Sequence, residues 1–428
     1  MANVYEAMDV PQLDAAITEL KEQAARYREA HLSLDMARGK PTHEQTELSR
    51  PMLDLLNSRT ELSGDGWAAD NYGCPVGLPQ ARRLAAEIIG VDPTNVIVCG
   101  SSSLHLMHDL VCHGFTCGVA GHEPWYKQGQ VKWLCPSPGY DRHFRVTAHY
   151  GIKNIPIAMQ SDGPDMDEVA RLVETDPSVK GIWCVPKYAN PSGITYSDDV
   201  VRRFASLRPA APDFRIYWDN AYVVHDIYDE GDQLLEIFSA MREAGTDDLV
   251  YEFASTSKIT FPGSGMSWVA GSPSDIAEAR AAFGVEQVCP EKMTELAHVL
   301  FLKNLDGVRA HMKKHAAIVR PHFELVEKKL EEGLGGLGIA HWSHPHGGYF
   351  ISFDGPAGSA RRIVSLMAEL GVKLTPAGAT WPYGEDPHDT NIRIAPTYPT
   401  LEDLGKALDV FVVAVKLVAA MLARKTRS

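Results

Sequence analysis

Several stretches of the chain carry side chains that could act together on one small molecule. One is Tyr251 to Lys258, YEFASTSK. Val250, Tyr251 and Phe253 read as a strand, Ser255, Thr256 and Ser257 follow, and Lys258 closes the run. A lysine at the mouth of a sheet is a candidate nucleophile, because its amine condenses reversibly with a carbonyl. Taken alone, S-x-S-K is more often an ordinary lysine after a strand. Other strand ends change that weighting. FRIYWDNAY is an apolar strand that ends in Asp219, with Tyr222 just beyond. A carboxylate closing so apolar a run is costly to bury without a partner. NVIVCGSSSLHLMHDL places Gly100, Ser101, Ser102 and Ser103 where a strand gives way to a helix. Backbone N–H groups at a helix start attract anions, and hydroxyls add donors. Simple N-capping is the alternative, although three serines exceed what a cap requires. Tyr140 follows Pro138-Gly139 and offers an aromatic face, and Asn190-Pro191-Ser192-Gly193 is a turn after another apolar strand.

The elements that must position these groups alternate strand and helix from about residue 95. That pattern predicts an α/β domain with a mainly parallel sheet. Ligands of such sheets bind beyond the carboxyl ends of the strands, where each candidate lies. Ahead of the sheet, Leu13, Ile17, Leu20, Ala24 and Tyr27 space out an amphipathic helix over residues 12–30. LDMARGKPTHEQ, broken by Gly39 and Pro41, is an extended arm or a plain linker. Tyr72 stands in a loop before a helix, a setting that more often means packing than function. Residues 285–330 read as helical, and alternating elements after the GLGGLG break predict a smaller α+β domain. The expected division is residues 1–50 as an N-terminal helix and arm packing with the small domain, 51–320 as the large domain, and 321–428 as the small one. His341, His344 and His346 match no compact ligand spacing, so no metal is expected.

Length and composition bound the function. A chain of 428 residues exceeds one small core, so two domains are the default. A net charge of −14 argues against a general nucleic-acid binder. Seven cysteines, an odd number without C-x-x-C, read as reduced and mostly buried thiols of a cytoplasmic protein. MANVYEAMDV lacks the pattern of a signal peptide. VFVVAVKLVAAMLA is interrupted by Lys416 and reads as a packed terminal helix rather than a membrane span. No phosphate-binding glycine signature follows a strand, which lowers a nucleotide-binding reading.

The ordered set Tyr72-Gly73, Gly100-Ser101-Ser102-Ser103, Pro138-Gly139-Tyr140, Asn190-Pro191-Ser192-Gly193, Asp219-x-x-Tyr222, Ser255-x-Ser257-Lys258 and Arg393 resembles the fold-type I pyridoxal 5'-phosphate (PLP) aminotransferases of class I/II. The likeness runs from the Gly39 arm to Arg393. ARGKPT, SKITFPGSG and NIRIAPTYP look closest to the bacterial aspartate aminotransferase subgroup Ic, related to the aminotransferase-like part of MocR regulators. The resemblance implies a seven-stranded, mainly parallel sheet in the large domain. It implies that Lys258 forms the internal Schiff base and shuttles the proton at Cα. Asp219 would keep the pyridine nitrogen protonated, Asn190 and Tyr222 would donate to the phenolic oxygen, and Tyr140 would stack on the ring. Ser101, Ser102, Ser103, Ser255 and Ser257 would hold the phosphate, with Tyr72 reaching in from a second subunit. Arg393 would clamp the substrate α-carboxylate near Asn190, and the backbone at Gly39 would close over it; a surface arginine in a strand is the alternative.

One departure concerns the phosphate. Most aminotransferases carry an arginine eight residues after the lysine, and here that position is Met266. Nor is there a sure equivalent of the partner-subunit arginine that binds a distal carboxylate; Lys292 is a candidate, and a surface lysine is the alternative. The implied activity is transfer of an amino group from an acidic amino acid, L-aspartate, to 2-oxoglutarate, in a homodimer with neither nucleic-acid nor membrane partners. β-Elimination at a cysteine conjugate would use the same Lys258 and Asp219. A non-catalytic sensor of the MocR kind is disfavoured, because the segment ahead of the Gly39 arm is too short for a DNA-binding domain of ordinary size.

Overall fold

The apolar runs read as strands lie side by side in the computed structural model, which describes residues 3–427. The main sheet comprises β1 (Val96–Val98), β2 (Lys132–Ser137), β3 (Lys153–Gln160), β4 (Gly163–Pro164), β5 (Val179–Cys184), β6 (Arg215–Asp219), β7 (Val250–Ser255) and β8 (Ser267–Ala270). Their spatial order is β1-β8-β7-β6-β5-β2-β3-β4. β8 runs antiparallel to both β1 and β7, and the other long strands run parallel. The expectation of seven strands omits β4. These two residues fold back on β3 through a tight turn, pairing Gln160 with Gly163 and Met159 with Pro164. So short a strand has no period of its own to detect.

Strands β5, β6 and β8 are buried along their whole length, which is why they read as unbroken apolar runs rather than alternating ones. Successive side chains serve opposite layers. Tyr217, Tyr251 and Phe253 pack with Trp125, Trp133 and Trp183 under helices Ser103–Thr116, Asp141–His149 and Pro273–Glu286. Trp218, Ala254 and Trp268 face the other layer, with helices Pro79–Ile89 and Asp198–Ala205. Each aromatic side chain taken fully out of water contributes roughly 1.5–3 kcal/mol, so these two layers fix the register of the strand ends.

A second core surrounds the three-stranded antiparallel sheet of β9 (His341–Trp342), β10 (Ile351–Asp354) and β11 (Asn391–Ile394). The C-terminal helix Leu401–Lys425 and the N-terminal helix Val10–Glu29 pack together on it, with Leu13, Leu20 and Ala24 buried beside Val410, Phe411 and Val418. A capping box at Asp9 and Gln12 starts the N-terminal helix. Leu34–Asp35 then pairs in parallel with Val372–Lys373, which ties the following arm to this unit. The 30-residue helix Leu305–Leu334 joins both cores: Val308 and Met312 belong to the first, Val319, Phe323 and Val326 to the second.

All seven cysteines are free, but the expectation that most are buried fails. Cys99, Cys135 and Cys184 are buried, Cys74, Cys112 and Cys289 are half-buried, and Cys117 is exposed. The buried three sit at or beside strands, while the others lie on helix flanks and loops, where an apolar neighbour in sequence does not mean an apolar neighbour in space. Among the described residues, no helix is long and apolar enough to cross a membrane.

Candidate active site

The carboxyl ends of five parallel strands meet at one place. β6 ends in Asp219, and β7 ends in Ser255 with Lys258 in the next turn. β5 leads into the Asn190 turn, β2 leads to Tyr140 at the start of helix Asp141–His149, and β1 leads to Gly100–Ser102 before helix Ser103–Thr116.

Asp219 is the best-defined member. It is buried, and its Oδ2 lies 3.0 Å from Nε2 of His143. His143 stacks on Trp183 with ring centres 4.7 Å apart and meets Tyr140 edge-on at 4.9 Å. The other carboxylate oxygen, Oδ1, is buried without a partner. A half-satisfied carboxylate in an aromatic box is costly unless a donor completes it. The protonated pyridine nitrogen of PLP is such a donor, so the residues present fit that cofactor. No motif pointed to His143. Its only signal is that it shares the inward face of its helix with Phe144 and Thr147.

Lys258 is partly accessible, and its Nζ lies 5.1 Å from the centre of the Tyr222 ring. Removal from water pulls the amine below its ordinary pKa, partly opposed by the charge of Asp219. The lowered value favours the nucleophilic neutral form. Tyr222 is buried and its phenol is raised, chiefly by burial, so it keeps its O–H as a donor at neutral pH. Burial, then the charges of Asp219 and Asp141, push the Tyr140 phenol up to about 12.

Arg393 enters from β11, the other sheet. Its Nη1 donates to Asn190 Oδ1 at 3.3 Å and lies 3.5 Å from Asp141 Oδ1, and its Nη2 donates to Thr375 Oγ1 at 3.3 Å. The guanidinium stands 4.7 Å over the Phe350 ring, and its Nε is buried and unpaired. Gly39 crosses the same ring: a Cβ there would lie 2.2 Å from a Phe350 ring atom. Only glycine lets the arm pass so close. Gly39, Phe350, Arg393 and Asn190 therefore form one wall built from both cores.

The serines gather as a second cluster. Ser255 Oγ donates to Ser257 Oγ at 3.0 Å, and Ser257 Oγ donates to the Ser101 carbonyl at 2.8 Å. Ser102 is half-buried as the helix N-cap, and Ser103 is buried in the first turn. Gly265 closes the cluster, since a Cβ there would meet Ser101 O at 2.6 Å and Ser257 Oγ at 2.9 Å. Met266 is buried in the sheet core, its backbone N–H donating to Thr256 Oγ1 at 2.9 Å, and brings no charge.

Two candidates do not join these groups within the chain. Tyr72 is 76% exposed. Lys292 is buried, and its ammonium donates to the carbonyls of Gly73, at 2.9 Å, and Asn71. A buried ammonium requires acceptors, and these two carbonyls flank Tyr72. His341, His344 and His346 do not converge; each pairs with a different carboxylate, Asp354, Glu327 and Asp232. A cleft of about 650 Å³ lined by Trp218, Asn220 and Glu252 includes none of the candidate site residues.

Known proteins agree with this architecture. Residues 8–426 match the family model described as aspartate amino-transferase. A putative aminotransferase of Mycolicibacterium smegmatis is 44% identical over 391 residues, covering 90% of this chain and 91% of its own. An aspartate aminotransferase of Corynebacterium glutamicum is 39% identical over 403 residues, covering 94% and 93%. The crystal structure of an aspartate transaminase from Corynebacterium glutamicum superimposes with a TM-score of 0.96 at 37% identity, over 99% of this chain and 100% of that one. The fold and its relatives define a PLP-dependent aminotransferase of fold type I. More narrowly, the chain belongs to the aspartate aminotransferase family.

Proposed function

We propose that the enzyme moves the amino group of L-aspartate to 2-oxoglutarate in a ping-pong cycle, with Lys258 as the amine that receives the cofactor. The observation that carries this reading is the bare Oδ1 of buried Asp219 beside a lysine whose amine is pulled toward neutrality. Bound PLP supplies an aldehyde for amine exchange and a ring that takes up charge from Cα. Asp219 Oδ1 would hold the proton on the ring nitrogen while His143 holds Oδ2. The Tyr222 hydroxyl and the Asn190 amide would donate to the phenolic oxygen, and Tyr140 would cover the ring face. Lys258 Nζ would take the proton from Cα and return it. Ser101, Ser102, Ser103, Ser255 and Ser257 would hold the phosphate through hydroxyls and backbone N–H groups. In a cytoplasmic homodimer, the exposed Tyr72 would reach the partner's phosphate. Lys292, offered above as a distal-carboxylate ligand, would instead hold the Tyr72 loop in position. The two cores would act as two domains that close on substrate along the Gly39–Arg393 wall.

Arg393 would bind the α-carboxylate by two parallel hydrogen bonds. Charge-assisted hydrogen bonds contribute about 1.5–3 kcal/mol, so Arg393→Ala should raise KM for both amino and keto acid on the order of 10- to 100-fold. Steady-state kinetics check this. A lowered Tm with unchanged KM returns Arg393 to a structural role.

The substrate reading is tested by the visible spectrum of the purified, PLP-loaded protein. L-Aspartate alone should bleach the cofactor band, and 2-oxoglutarate should restore it. Release of pyruvate and ammonia from a cysteine conjugate, with no response to aspartate, would favour β-elimination instead.

A further inference from the structure

The turn that carries Lys258 rests on four buried histidines. His298 Nε2 lies 2.8 Å from the Thr256 hydroxyl and 2.7 Å from that of Thr260. His311 Nε2 lies 2.9 Å from the Ile259 carbonyl, and His315 Nε2 lies 3.1 Å from His311 Nε2. His225, three residues beyond Tyr222, has both ring nitrogens buried and unpaired, close enough to Lys258 for its charge to act on the ring. It meets Tyr222 edge-on at 5.5 Å and Tyr349 at 5.9 Å. The four come from three elements: the loop after β6, helix Lys292–Leu302 and helix Leu305–Leu334. The arm segment joins them, with Ser49 Oγ 3.2 Å from His311 Nε2 and Gln45 Nε2 3.1 Å from His315 Nδ1.

Core packing alone is a poor account of this cluster. A buried imidazole costs about 1–3 kcal/mol for each polar atom left unpaired, whereas leucine would fill the space without that penalty. Two of the four, His298 and His311, contact residues of the same five-residue turn, Thr256 to Thr260, directly; His315 acts through His311, and His225 lies close enough to Lys258 for its charge to act on the ring. All four are held neutral. Burial lowers each, taking His315 to about 3, and Lys258 adds to the effect at His225. A charged imidazole here would repel the Lys258 ammonium.

We propose that His225, His298, His311 and His315 are positioning residues for Lys258: an imidazole cradle that fixes the backbone of its turn, so that only the side chain moves while the amine reacts. The proposal rests on Lys258 being the reacting amine. The test therefore begins with the cofactor-free enzyme, where Lys258 can be followed without turnover. Its modification by an amine-reactive reagent, read on the Lys258 peptide by mass spectrometry across pH, gives the amine's midpoint. In the wild type this midpoint should lie below that of an ordinary lysine, about 10.4. An ordinary midpoint there would count against the reading of Lys258 itself rather than against the cradle.

His298→Leu and His311→Leu should move the midpoint toward the ordinary value by roughly half a unit or more, because loosening the turn lets the amine reach water. In cofactor-loaded enzyme the pH midpoint of the visible band should shift in parallel, with kcat falling on the order of 10-fold and KM nearly unchanged, as expected when a proton-transfer group is misplaced. His298→Gln and His311→Gln, which keep a hydrogen-bonding group at the contact, should recover most of both. Thr260→Val removes the His298 contact and the hydroxyl's bond to the Thr256 carbonyl while keeping the shape of the side chain, and should shift the amine in the same direction by less. It keeps the proposal testable if a leucine variant does not fold. If the midpoints stay at the wild-type value in Thr260→Val and in every folded histidine variant, while Tm falls, the histidines are core packing and the cradle is wrong.

Discussion

Lys258→Ala should abolish transamination and leave a folded protein that still takes up PLP without bonding to it. The amine has two proposed tasks, receiving the cofactor and moving the proton at Cα, and alanine can do neither. Loss of a positioned general acid–base alone costs about 10²–10⁴-fold, so turnover should fall by at least about 10⁴-fold once the covalent task is lost as well. Initial rates with aspartate and 2-oxoglutarate measure the first part. Borohydride should fix cofactor to the Lys258 peptide of the wild type and to no peptide of the variant. Turnover within tenfold of wild type would sink the assignment. Stability should move the other way. Lys258 has a depressed pKa in the folded state. Between that value and the unfolded value near 10.4 the unfolded chain binds more protons, so stability from this group rises with pH across the window, and the penalty is fully present below it. Alanine removes the penalty, so Tm at pH 7 should equal or exceed that of the wild type. A lysine that costs stability while supplying the proposed activity is the expected trade.

Lys258, Asp219, Tyr222, Asn190 and Tyr140 were legible because each closes or follows an apolar strand, and a parallel sheet gathers such ends at one edge. Local chemistry and long-range position coincide there. They part company elsewhere. His143 is one polar residue on a helix face, and only the fold sets it against Asp219, 76 residues away. The contact of Gly39 with Phe350 joins segments far apart in the chain, so the ARGKPT arm and a plain linker look alike until Phe350 is placed. Lys292 shows the same limit. Its neighbours in sequence suit an exposed ligand, whereas its neighbours in space are two carbonyls of the Tyr72 loop. The histidines under Lys258 are spread from residue 225 to 315 with no spacing that marks them. What sequence conveys well is the direction a strand delivers its last residue; what it conveys poorly is which helix arrives on the other side.

Asp219→Asn tests that pairing, and its effect should be second only to that of Lys258→Ala. The substitution keeps the size of the side chain and changes the charge and one acceptor. In the wild type, Oδ2 is engaged by His143 Nε2 and Oδ1 is free. An asparagine must turn its oxygen to one side and its NH₂ to the other. If the oxygen stays with a donating His143, the NH₂ meets the cofactor nitrogen and excludes a proton there; if it turns inward, His143 faces an N–H. Neither arrangement replaces a carboxylate. An opposite charge within about 4–6 Å shifts a pKa by 1–3 units, so losing it should strip the ring proton near neutral pH and reduce kcat by at least about 100-fold. KM should change less, because Arg393 and Gly39 are untouched. His143→Leu is the companion measurement: Asp219 keeps its charge but loses its orientation, so the loss should be smaller, on the order of tenfold. A decrease under tenfold in Asp219→Asn, or a larger decrease in His143→Leu than in Asp219→Asn, would mean that the bare oxygen does not meet the cofactor, and the ring nitrogen would need another partner.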